Sequence, residues 1–164
     1  MSNISRRFLI AALPALALSA CSGGGPLIAT KSPRARLARG EPALHPNETP
    51  ELRALINKWA DYYAVPRDLV QAQILRESGH RAEARNGPYY GLMQIHPRTA
   101  STMGFSGPDS ALLDPDVNLQ YGVKYLRGAW LVSGGDRTEA MRWYAKGYYY
   151  EAKRKGLLAE TGLI

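Results

Sequence analysis

Glu77 is the residue in this chain whose surroundings could turn a carboxyl group into a proton donor. Val70, Ile74 and Glu77 are spaced by four and three positions, so on a helix they share one face. A carboxylate on an apolar stripe loses part of its hydration, which favours the neutral acid. The run from Pro66 to Ser78, followed by Gly79, reads as a helix with a C-terminal stop. Glu77 then falls in the last turn, where the negative end of the helix dipole disfavours ionisation further. Both effects point to an acid still protonated near neutral pH, as proton donation to a leaving oxygen requires. Spacing alone leaves a second reading open, a surface glutamate paired with Arg76 or Arg81.

Other reactive patterns are missing. His45, His80 and His96 carry no metal-ligand spacing, and there is no Gly-rich phosphate loop and no serine or cysteine nucleophile motif. No metal and no cofactor is expected. Glu83, Asp109, Asp114 and Asp116 are available acids, but nothing in their setting marks a nucleophile, and Asp114 before Pro115 reads as a helix cap.

The elements that must hold Glu77 are helices. Thr49-Pro50-Glu51 is a helix start, and Leu52, Leu55, Ile56, Trp59 and Tyr63 recur at helical spacing after it. Gly87–Tyr90 reads as a loop. A third helix begins at Asp114-Pro115, carries Val117, Tyr121, Tyr125, Leu126 and Ala129, and ends at Gly134-Gly135. A fourth runs from Thr138 to about Gly147, and the tail beyond it is helical again. Strand signal is slight, so residues 50–164 form a mainly α domain. Trp130, Trp143 and Tyr148–Tyr150 make its C-terminal part rich in aromatics, which can serve as core or as sugar platforms.

Upstream of the domain the chain has another character. Residues 1–20 read as a secretory leader, with Arg6 and Arg7 as the positive region and Phe8–Leu18 as a short apolar stretch. Leu18-Ser19-Ala20-Cys21 resembles a bacterial lipobox, which would make Cys21 a lipidated first residue; an ordinary signal peptide with an incidental cysteine is the alternative. The arginine pair leaves the export route open between general and twin-arginine secretion. Cys21 is the only cysteine, so no internal disulfide can form. Residues 21–49, rich in Pro, Gly and Arg, read as a lipidated cysteine and flexible tether that could stretch to about 95 Å. Lipid would hold the protein at a membrane, and Ser22 after the cysteine favours the outer one. The formal charge is +7, but from Glu51 onward there are 15 bases and 12 acids, so the domain is mildly basic and is not a nucleic-acid reader.

Four pieces occur in one order: Glu77-Ser78-Gly79; Gly91-Leu92-Met93-Gln94-Ile95 with Pro97, Thr99 and Ala100; Asp114-Pro115, Asn118, Gly122, Tyr125 and Leu126; and Tyr144-Ala145-Lys146-Gly147. Together, over about Leu52 to Gly147, they resemble the catalytic domain of the soluble lytic transglycosylases, which share the goose-type lysozyme fold. The resemblance implies a periplasmic enzyme acting on peptidoglycan glycan strands. In that family a single glutamate, here Glu77, cleaves the bond between N-acetylmuramic acid and N-acetylglucosamine and leaves a 1,6-anhydro end. It also implies that Ser78 places a sugar or the peptide stem. Met93 would be the apolar floor of the groove, with core packing as the alternative, and Gln94 a hydrogen-bond partner. The hydroxyl of Tyr144 would bond Glu77. Alanine stands at 145 where the family's late motif has asparagine, and the loop before Gly91 is about one residue short. A non-catalytic peptidoglycan-binding lipoprotein and a water-admitting muramidase are the competing readings.

Overall fold

Thr49 starts the first helix as its side chain dictates: the hydroxyl accepts the Leu52 N–H at 3.1 Å, and Pro50 sits where no helical donor is needed. The computed structural model describes residues 42–163, so Cys21 and the leader lie outside the described residues. In chain order the elements are α1 (Pro50–Tyr62), α2 (Arg67–Glu77), a hairpin of β1 (Arg85–Asn86) and β2 (Tyr89–Tyr90), α3 (Pro97–Thr102), a 3-10 turn (Asp109–Leu113), α4 (Pro115–Val132), α5 (Arg137–Lys146) and α6 (Tyr149–Lys155). The domain is mainly helical and of the lysozyme-like type expected. Among the described residues no helix is long and apolar enough to cross a membrane.

The helix boundaries follow local chemistry. Asp114 caps α4 by accepting the Val117 N–H at 3.0 Å. Asp136 caps α5 through the Glu139 N–H at 2.8 Å, which starts that helix one residue before the expected Thr138. The hairpin, α3 and the 3-10 turn were not legible as such. Two-residue strands paired Arg85 to Tyr90 and Asn86 to Tyr89 are too short to show alternation, and the sequence reading had only a loop there.

The 18-residue α4 is the axis of the domain. Leu119, Val123, Leu126 and Ala129 on one side of it are fully buried with Ile56 of α1, Val70 and Ile74 of α2, and Ala140 of α5. A smaller cluster holds Tyr90, Ile95, Ala100, Phe105 and Leu112, and the half-buried Tyr125 packs against both. Each fully buried leucine or isoleucine is worth roughly 1.5–3 kcal/mol, so α4 fixes the end of α2 against α5.

The tether does not run to residue 49. Residues 42–49 are docked on the domain. Glu48 and Arg53 are both buried and pair through two contacts, Nε to Oε1 at 2.5 Å and Nη2 to Oε2 at 2.6 Å. Arg53 also donates to the carbonyls of Pro42 and Ala43. The His45 ring stacks on His80 at 4.6 Å between centroids, and Asn47 donates to the Gly79 carbonyl at 3.0 Å. Proline content pointed to coil in this stretch. What overrides it is a buried ion pair, which has no periodicity to betray it.

Candidate active site

Helix α2 ends on Glu77, and what surrounds that carboxyl group comes mostly from its own helix. Gln73, one turn earlier and fully buried, donates its amide Nε2–H to Glu77 Oε1 at 2.7 Å. Arg76 Nε stands 3.9 Å from the same oxygen, at the outer limit of an ion pair. The Glu77 side chain is 21 % exposed, enough for a ligand to reach it. Burial pushes its pKa up from the ordinary 4.5, and the weaker pull of Arg76 does not cancel this. Glu77 thus combines partial burial with an Arg76 neighbour at the limit of an ion pair. Among the described residues no second carboxylate acts on it.

The segment Gly91–Ile95, which carries most of the motif, is held by Asn118 of α4. Asn118 Oδ1 accepts the Met93 N–H at 2.8 Å, while its Nδ2 donates to the carbonyls of Tyr90 and Leu112 at 2.8 and 2.7 Å. The close fit explains two glycines. A Cβ on Gly91, whose φ is +68°, would come 2.5 Å from Asn118 Nδ2. One on Gly122 would come 2.6 Å from Met93 Cβ. Much of the motif that carried the resemblance is thus a device for seating one loop.

Three expected roles change. Met93 is fully buried, so it is core and not the floor of a groove; its backbone joins Asn118 to Tyr144. Ser78 is buried too, and its hydroxyl donates back to the Ile74 carbonyl at 3.3 Å, finishing α2 instead of facing a sugar. The Tyr144 hydroxyl donates to the Met93 carbonyl at 2.8 Å and not to Glu77. Glu77 still lies close enough for its charge, after burial, to help hold that phenol well above its usual range. Tyr144 is a prop between α5 and the loop.

Gln94 is part-buried, and its amide donates to the carbonyls of Ala84 and Gly91 at 3.0 and 2.8 Å. It lines a hollow with Tyr89, His96, Tyr144, Ala145 and Lys146. A second hollow, lined by Arg76, Met141 and Arg142, shares Ala145 and Lys146 with the first. Glu77 has a neighbour in each, Tyr144 in one and Arg76 in the other. The small Ala145 thus lines both hollows beside Lys146.

Residues 54–157 match the family described as Transglycosylase SLT domain. The chain belongs to that family. Glu77, the Gly91–Ile95 loop, α4 and Tyr144 all fall inside the matched part of this SLT domain, whereas the docked segment 42–49 lies outside it. Two members of a cluster that sequence spacing did not suggest, His45 and Glu48, lie in that segment, and the third, His80, lies in the matched part. Ligand atoms of His45, Glu48 and His80 lie within 4.8 Å of one another. Both Glu48 oxygens, however, are occupied by Arg53, with the Gln71 amide and the His45 N–H adding to them. The two imidazoles are stacked 13° from parallel, and side-by-side planes cannot both aim a nitrogen lone pair at one ion. The cluster is a clasp. Of the C-terminal aromatics, Tyr148 is core, its hydroxyl donating to the Tyr125 carbonyl, while Tyr149 and Tyr150 are exposed.

Proposed function

We propose that this SLT domain is a lytic transglycosylase of peptidoglycan, with Glu77 as its acid and then its base. The observation that carries the reading is a lone, half-buried carboxyl group at the end of α2, held towards its protonated form, still partly exposed, and close to both Arg76 and Tyr144. Glu77 gives its proton to the oxygen leaving C1 of N-acetylmuramic acid as the β-1,4 bond to N-acetylglucosamine breaks. The carboxylate so formed takes the proton of the sugar's own 6-hydroxyl, whose oxygen bonds to C1 and closes a 1,6-anhydro ring. Glu77 is regenerated and no water is consumed. Paired-carboxylate glycosidases need a second acid within a few ångströms, whereas here the substrate's acetamido group can stabilise the charge developing at C1. Digestion of purified peptidoglycan followed by mass spectrometry tests the scheme. Muropeptides ending in 1,6-anhydro-N-acetylmuramic acid, one water lighter than hydrolysis products, are expected. Reducible muramic ends alone would make the protein a muramidase, and no release at all would leave a binding module.

We further propose that the enzyme works in the periplasm, held by lipid on Cys21, most simply at the outer membrane. The Leu18–Cys21 run and the leader before it support this reading. Several acyl chains on one residue anchor stably where one chain does not. A Cys21→Ser variant should fractionate as a soluble, active periplasmic protein; its retention in the membrane fraction would mean that something else is the anchor.

A further inference from the structure

We propose that Gln73 is the positioning residue of Glu77, occupying Oε1 with its amide and leaving Oε2 as the oxygen that gives up and takes back the proton. The inference rests on the reading of Glu77 as acid and base, but its structural basis is separate. Gln73 is fully buried in the interior of α2, and its Nε2 reaches Glu77 Oε1 at 2.7 Å across one helical turn. Its own carbonyl oxygen is buried with no hydrogen-bond partner, one of two side-chain atoms in that condition among the described residues. A buried, unpaired carbonyl destabilises a fold, so an apolar side chain would serve packing better at this position. Turning the amide over would bury an unpaired NH2, and once Glu77 is ionised it would aim a carbonyl at a carboxylate. The arrangement makes sense as a donor kept for Glu77.

The donor has two consequences. It fixes the carboxyl group in one rotamer, so the proton in the acid form resides on the oxygen that Gln73 does not hold. It also stabilises the carboxylate, opposing the burial that raises the pKa. Without it Glu77 would hold its proton too firmly to hand it over and return as a base.

Gln73→Met, which keeps length and apolar bulk but removes the amide, is the test, with Gln73→Leu as a second variant should the first fold poorly. The expected result is a fall in kcat of about tenfold to a hundredfold with KM within about twofold. The basic limb of the pH profile should move to higher pH, because a carboxylate that has lost a donor protonates more easily. The melting temperature should hold or rise. A lowered melting temperature with an unmoved pH profile would make Gln73 a packing residue and overturn the proposal, as would unchanged kinetics. Titration of the ¹³C-labelled Glu77 carboxyl by NMR, in the parent chain and in each variant, needs no turnover. An upward shift in the variants supports the contact even if the glycan chemistry is misassigned, and identical titrations refute it.

Discussion

Replacing Glu77 by glutamine is expected to abolish glycan cleavage while leaving the fold and the binding of peptidoglycan nearly intact. The amide keeps the size of the side chain and can still meet Gln73, but it has no proton to give and cannot take one back. Loss of general acid catalysis alone typically costs about 10²–10⁴-fold, and here the base step disappears with it. Stability should change little, because burial already disfavours the charged form that the amide replaces. In the parent enzyme the same burial sets the pH dependence. The acid form must be present to begin a turnover, so kcat/KM should fall as pH rises through the elevated pKa of Glu77. Turbidity clearing of cell walls by Glu77→Gln at a rate near that of the parent would remove Glu77 from the mechanism.

How much of this was legible in the sequence depends on the range of the interaction concerned. Caps are local, so Thr49 and Asp114 announced their helices within three residues. Glu77 was legible because its burial follows from helical spacing against Val70 and Ile74, both fully buried. Its partner was missed although it stood four residues away. Glutamine on a helix is usually a solvated residue, and only its full burial in the fold shows that Gln73 points inward. The roles of Ser78, Met93 and Tyr144 were misread for a different cause. A family motif marks positions that matter without saying whether they touch the ligand or hold what does. Met93 matters because its backbone bridges Asn118 and Tyr144, and its side chain fills the space left by Gly122. Most of the motif is therefore spent on holding one loop still.

The clasp of residues 42–49 was the least legible feature, and Glu48→Ala should expose its weight. Arg53 would lose its buried counter-charge, and the His45 N–H and Gln71 amide would lose their acceptor. Breaking a buried pair from one side costs about 3–5 kcal/mol, a large share of the roughly 5–15 kcal/mol that holds a domain folded. Chemical denaturation should show a midpoint lowered by that amount with little change in slope. Replacing both partners, Glu48→Leu with Arg53→Met, should recover most of the loss, since no charge is left stranded. Acid adds a second signature. Burial raises the Glu48 carboxyl, but the bonds from Arg53, His45 and Gln71 outweigh it, so its folded value lies below the ordinary 4.5. Its contribution is thus present above that pH and lost as pH falls through the lowered value. His80 is depressed below 6.5, chiefly by burial, so the unfolded chain takes up a proton first and stability starts to decline as pH drops below about 6.5. Glu48→Ala should keep the His80 decline and lose the one at lower pH. A variant with the parent's denaturation midpoint would mean that the clasp contributes nothing and that the folded domain begins at α1.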